Sequence, residues 1–175
     1  MTTARAGDGA RLTLVLGGAR SGKSRHAEAL VTALPPPWVY VATAQALDDE
    51  MAARIAEHRA RRDERWRTVE APRDVAGTID AAAGAAVLVD CLTLWLTNLV
   101  LAEADLEAEI SRLEQALMRA KNPVVLVANE VGLGIVPDNA LARQFRDAAG
   151  RLNQRIAAHA DRVLLLVAGI PLEVK

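Results

Sequence analysis

Eight consecutive residues, Gly17-Gly18-Ala19-Arg20-Ser21-Gly22-Lys23-Ser24, narrow the possible folds of this chain more than any other feature. They satisfy G-x-x-x-x-G-K-[ST] in full. The apolar segment Leu12–Leu16 precedes them, and an amphipathic segment follows. Such a turn works only between a strand and a helix. Its glycines let the backbone bend sharply and aim several N–H groups at one point, and the helix N-terminus adds positive potential there. Lys23 then reaches the β- and γ-phosphates of a nucleotide, and the Ser24 hydroxyl can ligate Mg²⁺. Gly17 to Ser24 are therefore candidate nucleotide-binding residues, Lys23 a candidate catalytic residue and Ser24 a candidate metal ligand.

The rest of the chain agrees with that start. Five Val- and Leu-rich runs, Arg11–Leu16, Trp38–Thr43, Ala86–Cys91, Val124–Asn129 and Arg162–Ala168, show little alternation. That pattern belongs to strands covered on both faces, as in a parallel sheet. Helical periodicity lies between them. Ala27, Leu30, Val31 and Leu34 share a face within Lys23–Leu34. Asp48–Arg65 is helical and highly charged. Leu106, Ile110, Leu113 and Leu117 line one side of Leu106–Ala120, and Ala140–Ala160 is again amphipathic. Pro35-Pro36-Pro37 stops the first helix. Alternating strand and helix predicts a three-layer α/β fold, a mostly parallel sheet flanked by helices and joined by right-handed crossovers. The 175 residues predict a single catalytic domain over 11–175 behind a disordered lead-in over 1–10.

Several classes of function are disfavoured. A net charge of −1 argues against a general nucleic-acid binder. The apolar run Ala85–Leu101 is interrupted by Asp90, Thr93, Thr97 and Asn98, which excludes a simple membrane span. Cys91 is the only cysteine, so no internal disulfide forms, and a reducing, cytoplasmic setting is expected.

Nucleotide chemistry on this scaffold needs an acid at the end of a neighbouring strand to organise the metal shell. Asp90, closing Ala-Val-Leu-Val-Asp, and Glu130, after Val-Val-Leu-Val-Ala-Asn, both qualify, and Asp90 is preferred. Arg54, His58, Arg61 and Arg65 fall at i, i+4, i+7 and i+11 of the charged helix and form one stripe. Neighbouring arginines favour the neutral imidazole, a competent nucleophile towards phosphorus. The same helix starts acidic and ends basic, so from spacing alone a well-capped, solvated, dipole-matched helix is the plainer reading. His26 and His159 lack such a stripe and are expected in surface or packing roles. Trp38, Trp66 and Trp95 are expected in the core or an interface, and Cys91 as a small buried side chain.

Seven ordered motifs carry a further resemblance. They are the loop 17–24; Tyr-Val-Ala-Thr-Ala (40–44); Asp-Glu-Met-Ala-Ala-Arg-Ile-x-x-His-Arg (49–59); Trp-Arg-Thr-Val-Glu (66–70); Asp-Cys-Leu-Thr-Leu-Trp-Leu-Thr-Asn-Leu (90–99); Asn-Glu-Val-Gly-Leu-Gly-Ile-Val-Pro (129–137); and Phe-Arg-Asp-Ala-Ala-Gly-Arg-Leu-Asn-Gln (145–154). Together, from about Leu12 onwards, the chain resembles the bifunctional adenosylcobinamide kinase/adenosylcobinamide-phosphate guanylyltransferase family of cobalamin biosynthesis. The resemblance implies a recombinase-type P-loop fold and two reactions. ATP or GTP phosphorylates adenosylcobinamide. A histidine then takes GMP from GTP, releasing pyrophosphate, and passes it to adenosylcobinamide phosphate to give adenosylcobinamide-GDP. It further implies His58 as the nucleophile and nucleotide contacts at the loop, at Ala42, Thr43 and Ala44, at Arg59, Ala60, Arg61 and Arg62, at Glu70 and at Asp90. Mg²⁺ at Ser24 and Asp90, a corrinoid substrate and a homo-oligomer, specifically a trimer, complete what it implies. Glu57 stands where some relatives carry a second histidine. Two other readings compete: a monofunctional P-loop small-molecule kinase with a structural His58, and a nucleotide-gated binding module without chemistry.

Overall fold

The computed structural model describes residues 9–46 and 48–175, and leaves the Arg54 side chain undescribed. The expected lead-in falls mostly outside the described residues; only Gly9 and Ala10 of it are included, without regular structure. Seven strands follow: β1 (Leu12–Gly17), β2 (Trp38–Ala42), β3 (Trp66–Glu70), β4 (Ala86–Asp90), β5 (Val124–Asn129), β6 (Arg162–Val167) and β7 (Ile170–Glu173). They form one sheet in the order β3-β2-β4-β5-β1-β6-β7, parallel throughout except for β7, which runs antiparallel to β6. The helices are α1 (Lys23–Thr32), α2 (Asp49–Ala60), α3 (Val75–Ala81), α4 (Leu92–Leu101), α5 (Leu106–Arg119) and α6 (Ala140–His159).

Along the inner strands side chains alternate between two cores. Leu14, Val39, Val87, Val89 and Leu126 enter the larger core with residues of α3, α4, α5 and α6. Val15, Tyr40, Leu88 and Val125 enter the smaller one with Ala27 and Val31 of α1. Burying a leucine such as Leu14 or Leu88 contributes about 1.5–3 kcal/mol, so both sheet faces must be covered, and the layers are helix, sheet, helix. Short polar side chains start several helices. Asp48, Asp74, Asp105 and Asn139 accept the backbone N–H of Met51, Gly77, Ala108 and Ala142 respectively.

The five expected strands are present, with two more. β3 and β7 are edge strands whose exposed residues break the continuous apolar run that marks a buried strand. The expected helix over Asp48–Arg65 is shorter: α2 ends at Ala60. Asp63 accepts the backbone N–H of Arg65 at 3.0 Å and pairs with its guanidinium at 2.6 Å, and its carbonyl accepts Trp66 N–H at 3.1 Å, folding 63–66 into a turn. Arg65, also packed over the Trp38 ring at 4.7 Å, therefore leaves the proposed arginine stripe. α4 lacks amphipathic periodicity because it is sunk in the core, with Leu92, Trp95, Leu96 and Leu99 all buried.

Candidate active site

The loop after β1 has little steric latitude. A Cβ on Gly17 would lie 2.7 Å from the Leu166 carbonyl oxygen and 2.6 Å from Ser21 Oγ. Gly22, at φ 92°, is left-handed and begins α1 without a side-chain cap hydrogen bond. Neighbouring chain braces the turn from both sides. Gly17 O accepts the Glu130 N–H at 3.0 Å, and Ser21 O accepts the Gly169 N–H at 3.0 Å. Lys23 is buried, and its Nζ donates to Gly18 O at 2.6 Å, which curls the side chain back over the loop.

Two cavities open around this turn. Arg20, Ser21, Gly22, Lys23, Ser24 and Arg25 wall one side of a strongly polar cleft. Glu50, Ala53, Glu57, His58 and Arg61 of α2 and its C-terminal turn wall the other. The second cavity is a mixed chamber. Tyr40, Ala42, Ala44, Met51, Ile55, Cys91, Leu94 and Val127 supply apolar walls, and Lys23, Ser24, His58, Arg62, Asp90 and Asn129 supply polar groups. Helix geometry explains the division. Met51, Ile55 and His58 stand at i, i+4 and i+7 of α2 and face the chamber, joined by Arg62 from just beyond the helix, while the neighbouring stripe through Glu50, Ala53 and Glu57, with Arg61 at the C-cap, faces the cleft. His58 lies on the ridge between them and lines both, as do Lys23 and Ser24.

Asp90 ends β4, two strands from β1, and is tied down by a residue that motif reading passed over. Tyr40 Oη donates to Asp90 Oδ2 at 3.0 Å. Tyr40 stands two residues before Ala42, the register partner of Asp90, so its ring lies on the same sheet face and its hydroxyl reaches the strand end. Burial first, then the Asp90 carboxylate, push the Tyr40 hydroxyl far above its usual range, so it stays a donor. The same two causes push the Cys91 thiol up to about 11, which makes it inert at neutral pH. The Arg62 guanidinium sits 3.7 Å from the Tyr40 ring centroid.

The remaining candidates divide clearly. Ala42 and Ala44 line the chamber. Thr43 is fully buried, and its hydroxyl donates to Cys91 O at 2.8 Å and accepts Cys91 N–H at 2.7 Å; Asn98 Nδ2 adds a bond to Thr43 O at 2.8 Å. Thr43 therefore clamps the ends of β2 and β4, and its side chain faces neither cavity. Arg59 and Ala60 are exposed on α2 and line neither cavity, and Glu70 is exposed at the end of β3. Gly17, Gly18 and Ala19 form the turn itself. Glu130 is absent from both walls; its carboxylate accepts the Gly132 N–H at 2.6 Å. His26 is half-buried, and burial lowers its pKa, with Arg162 adding to the effect. His159 lies 3.6 Å from Glu114 on the α5–α6 surface. Ser24 and Asp90 are the oxygen donors of the chamber that suit a hard divalent cation. Among the described residues no three His, Cys, Asp or Glu gather into a metal cage.

A strand feeding this turn, a buried lysine and a serine opening the next helix, and an acid at the end of a strand beyond β5 define a P-loop protein that binds nucleoside phosphates. Solved structures of the same fold include the RadB recombinase, with a TM-score of 0.52, 21% identity and coverage of 88% of this chain and 73% of that one. The flagellar accessory protein FlaH from Methanocaldococcus jannaschii gives a TM-score of 0.53 at 11% identity, covering 94% and 78%. The chain belongs to the cobinamide kinase / cobinamide phosphate guanyltransferase family, which matches residues 13–174. It is 50% identical over 181 residues to the bifunctional adenosylcobalamin biosynthesis protein CobU of Salmonella typhimurium, covering 94% of this chain and 99% of that one. It is 51% identical over 166 residues to the bifunctional adenosylcobalamin biosynthesis protein CobP of Pseudomonas aeruginosa, covering 93% and 96%. Family membership makes it a kinase and guanylyltransferase of cobalamin biosynthesis. Divalent metal use accompanies this fold and chemistry.

Proposed function

We propose that one catalytic domain, residues 11–175, performs both reactions around a shared set of groups, with His58 as the covalent carrier of GMP. In the kinase step the loop N–H groups and Lys23 hold the β- and γ-phosphates of ATP or GTP. The hydroxyl of adenosylcobinamide attacks the γ-phosphorus in line, the β–γ bridging bond breaks, and the nucleoside diphosphate leaves. In the transferase step a His58 nitrogen attacks the α-phosphorus of GTP. A P–N bond forms, the α–β bridging P–O bond breaks, and pyrophosphate departs. A phosphate oxygen of adenosylcobinamide phosphate then attacks the same phosphorus, and the imidazole leaves protonated. Imidazole suits both halves, since it attacks when neutral and leaves well as the cation. Mg²⁺, which Ser24 and Asp90 would hold, supplies charge neutralisation at the phosphate oxygens.

The observation that carries this reading is that Lys23, Ser24 and His58 line both cavities, so the phosphate-holding groups and the nucleophile share one space. Arg61 on the cleft side and Arg62 on the chamber side supply positive charge to the phosphates. Arg59, Ala60, Thr43 and Glu70 remain part of the proposed nucleotide site, as backbone or second-layer contributors. A cytoplasmic setting and assembly as a homo-oligomer, specifically a trimer, belong to the same proposal.

The test uses GTP labelled at the α-phosphorus. Wild type should acquire base-stable, acid-labile label that maps to His58. His58→Ala should acquire none while still phosphorylating adenosylcobinamide, because the kinase step needs no nucleophile on the protein. Label on another residue, or label persisting in the variant, removes His58 from the role. A monofunctional kinase would give no label with either protein.

A further inference from the structure

Glu28 belongs to none of the motifs assigned above, yet it occupies an unusual place. It stands one helical turn beyond Ser24 on α1, at i+4, and therefore on the same face of the helix. Its side chain is only 16% exposed. Oε1 is buried without a hydrogen-bond partner and lies 3.9 Å from an Arg61 nitrogen. Burial pushes the carboxyl up from its ordinary range; Arg61 draws it back down, Asp90 pushes it up further, and Arg62 again draws it down. Arg62 meets the same region from the other side. Its guanidinium lies on the Tyr40 ring, and its Nε and Nη1 are buried without hydrogen-bond partners.

Two cations and one anion thus converge between α1 and the turn after α2. Arg61 and Arg62 are adjacent like charges, and one lines the polar cleft while the other lines the chamber. Arg62 is held on the Tyr40 ring, and Arg61 beside it has Glu28 as its counter-charge at 3.9 Å, which offsets the repulsion between the two. The Coulomb energy of a pair grows as the local dielectric falls, so a largely buried carboxylate holds a guanidinium more firmly than a surface one does. We propose that Glu28 is a positioning residue for nucleotide binding and guanylyl transfer, its carboxylate holding Arg61 over the phosphates. Glu28 lines neither cavity and touches no reacting atom; it acts through Arg61. The part of this inference that concerns guanylyl transfer rests on the function proposed above.

A double-mutant cycle tests the idea with two readouts, the Kd for GTP and the initial rate of labelling from α-labelled GTP. Glu28→Gln keeps the shape and removes the charge. It should weaken GTP binding and slow labelling by about tenfold, the size of a single partly buried ionic contact. In an Arg61→Ala background the same change should cost less than about twofold, since coupled residues are not additive. Glu28→Asp, which restores the charge at shorter reach, should recover part of the loss. Equal losses in both backgrounds, or no loss in either, overturn the proposal. Should wild type bind GTP with the expected coupling yet acquire no label, the covalent step fails and the positioning role of Glu28 in binding stands. Circular-dichroism melting of each variant separates loss of fold from loss of coupling.

Discussion

At the scale of single residues, Lys23 is the most informative side chain, because it is a buried cation whose ammonium is folded onto Gly18 O. That bond holds the charge where phosphate oxygens would arrive, and a lysine kept this way is rarely there for packing. Lys23→Ala should therefore fold and melt like wild type and lose kinase turnover by about 10²-fold or more, the scale for removing one preorganised electrostatic group. Steady-state phosphorylation of adenosylcobinamide measures it, and near-normal turnover removes the loop from the chemistry. Asp90 and Glu130 can be separated in the same way. Asp90 lines the chamber with Lys23 and Ser24, whereas Glu130 is turned to Gly132. Asp90→Asn should raise the metal concentration needed for half-maximal turnover by about tenfold or more, and Glu130→Gln by less than about twofold. The opposite order assigns the metal-side role to Glu130. The sequence offered these residues as candidates because Lys23 belongs to the loop motif and opens α1, while Asp90 ends β4 and Glu130 follows β5. Tyr40 was not among them, since only tertiary structure brings its hydroxyl to Asp90 across fifty positions of sequence.

Among the elements, α2 deserves the closest test because it carries His58 and stands largely exposed. Its N-terminus is capped by Asp48, whose Oδ1 accepts Met51 N–H at 2.7 Å. Asp48→Ala should destabilise that helix by about 1 kcal/mol. Hydrogen exchange of the α2 amides should then quicken severalfold with little change in the β-sheet amides, and labelling of His58 should slow in parallel. Uniform quickening across the molecule would mean that α2 is locked into the global fold. The helix was legible from its charge pattern, but its end was not. Asp63 captures Arg65 just beyond it, so the residues that face the chamber are Met51, Ile55 and His58 of α2 with Arg62 after its end, not the run of arginines. β3, β7 and α4 escaped the periodicity argument for opposite reasons. The two strands lie at sheet edges with exposed side chains, and the helix is buried nearly all round.

For the whole molecule, the sheet leaves apolar surface outside. Ile170 and Leu172 on β7, with Val174 just beyond, are at least half exposed, and Leu133, Ile135 and Val136 project from the loop after β5. Apolar surface of this kind is typically covered by a partner. Light scattering in solution should give a mass three times that of the 18.7 kDa chain, and charged substitutions at Ile170 and Leu172 should lower it. A wild-type monomer at micromolar concentration ends the trimer proposal.

The sequence by itself settled the strand–loop–helix core and the five buried strands. Those are local matters, decided by hydrophobic periodicity, turn chemistry and the spacing of a short motif. Tertiary structure alone decided the partnership of Tyr40 with Asp90, the inward turn of Thr43 and the place of His58 on the ridge between two cavities. Each of these depends on which strand lies beside which and on where a helix stops, and such long-range pairings leave no imprint on the spacing of neighbouring residues.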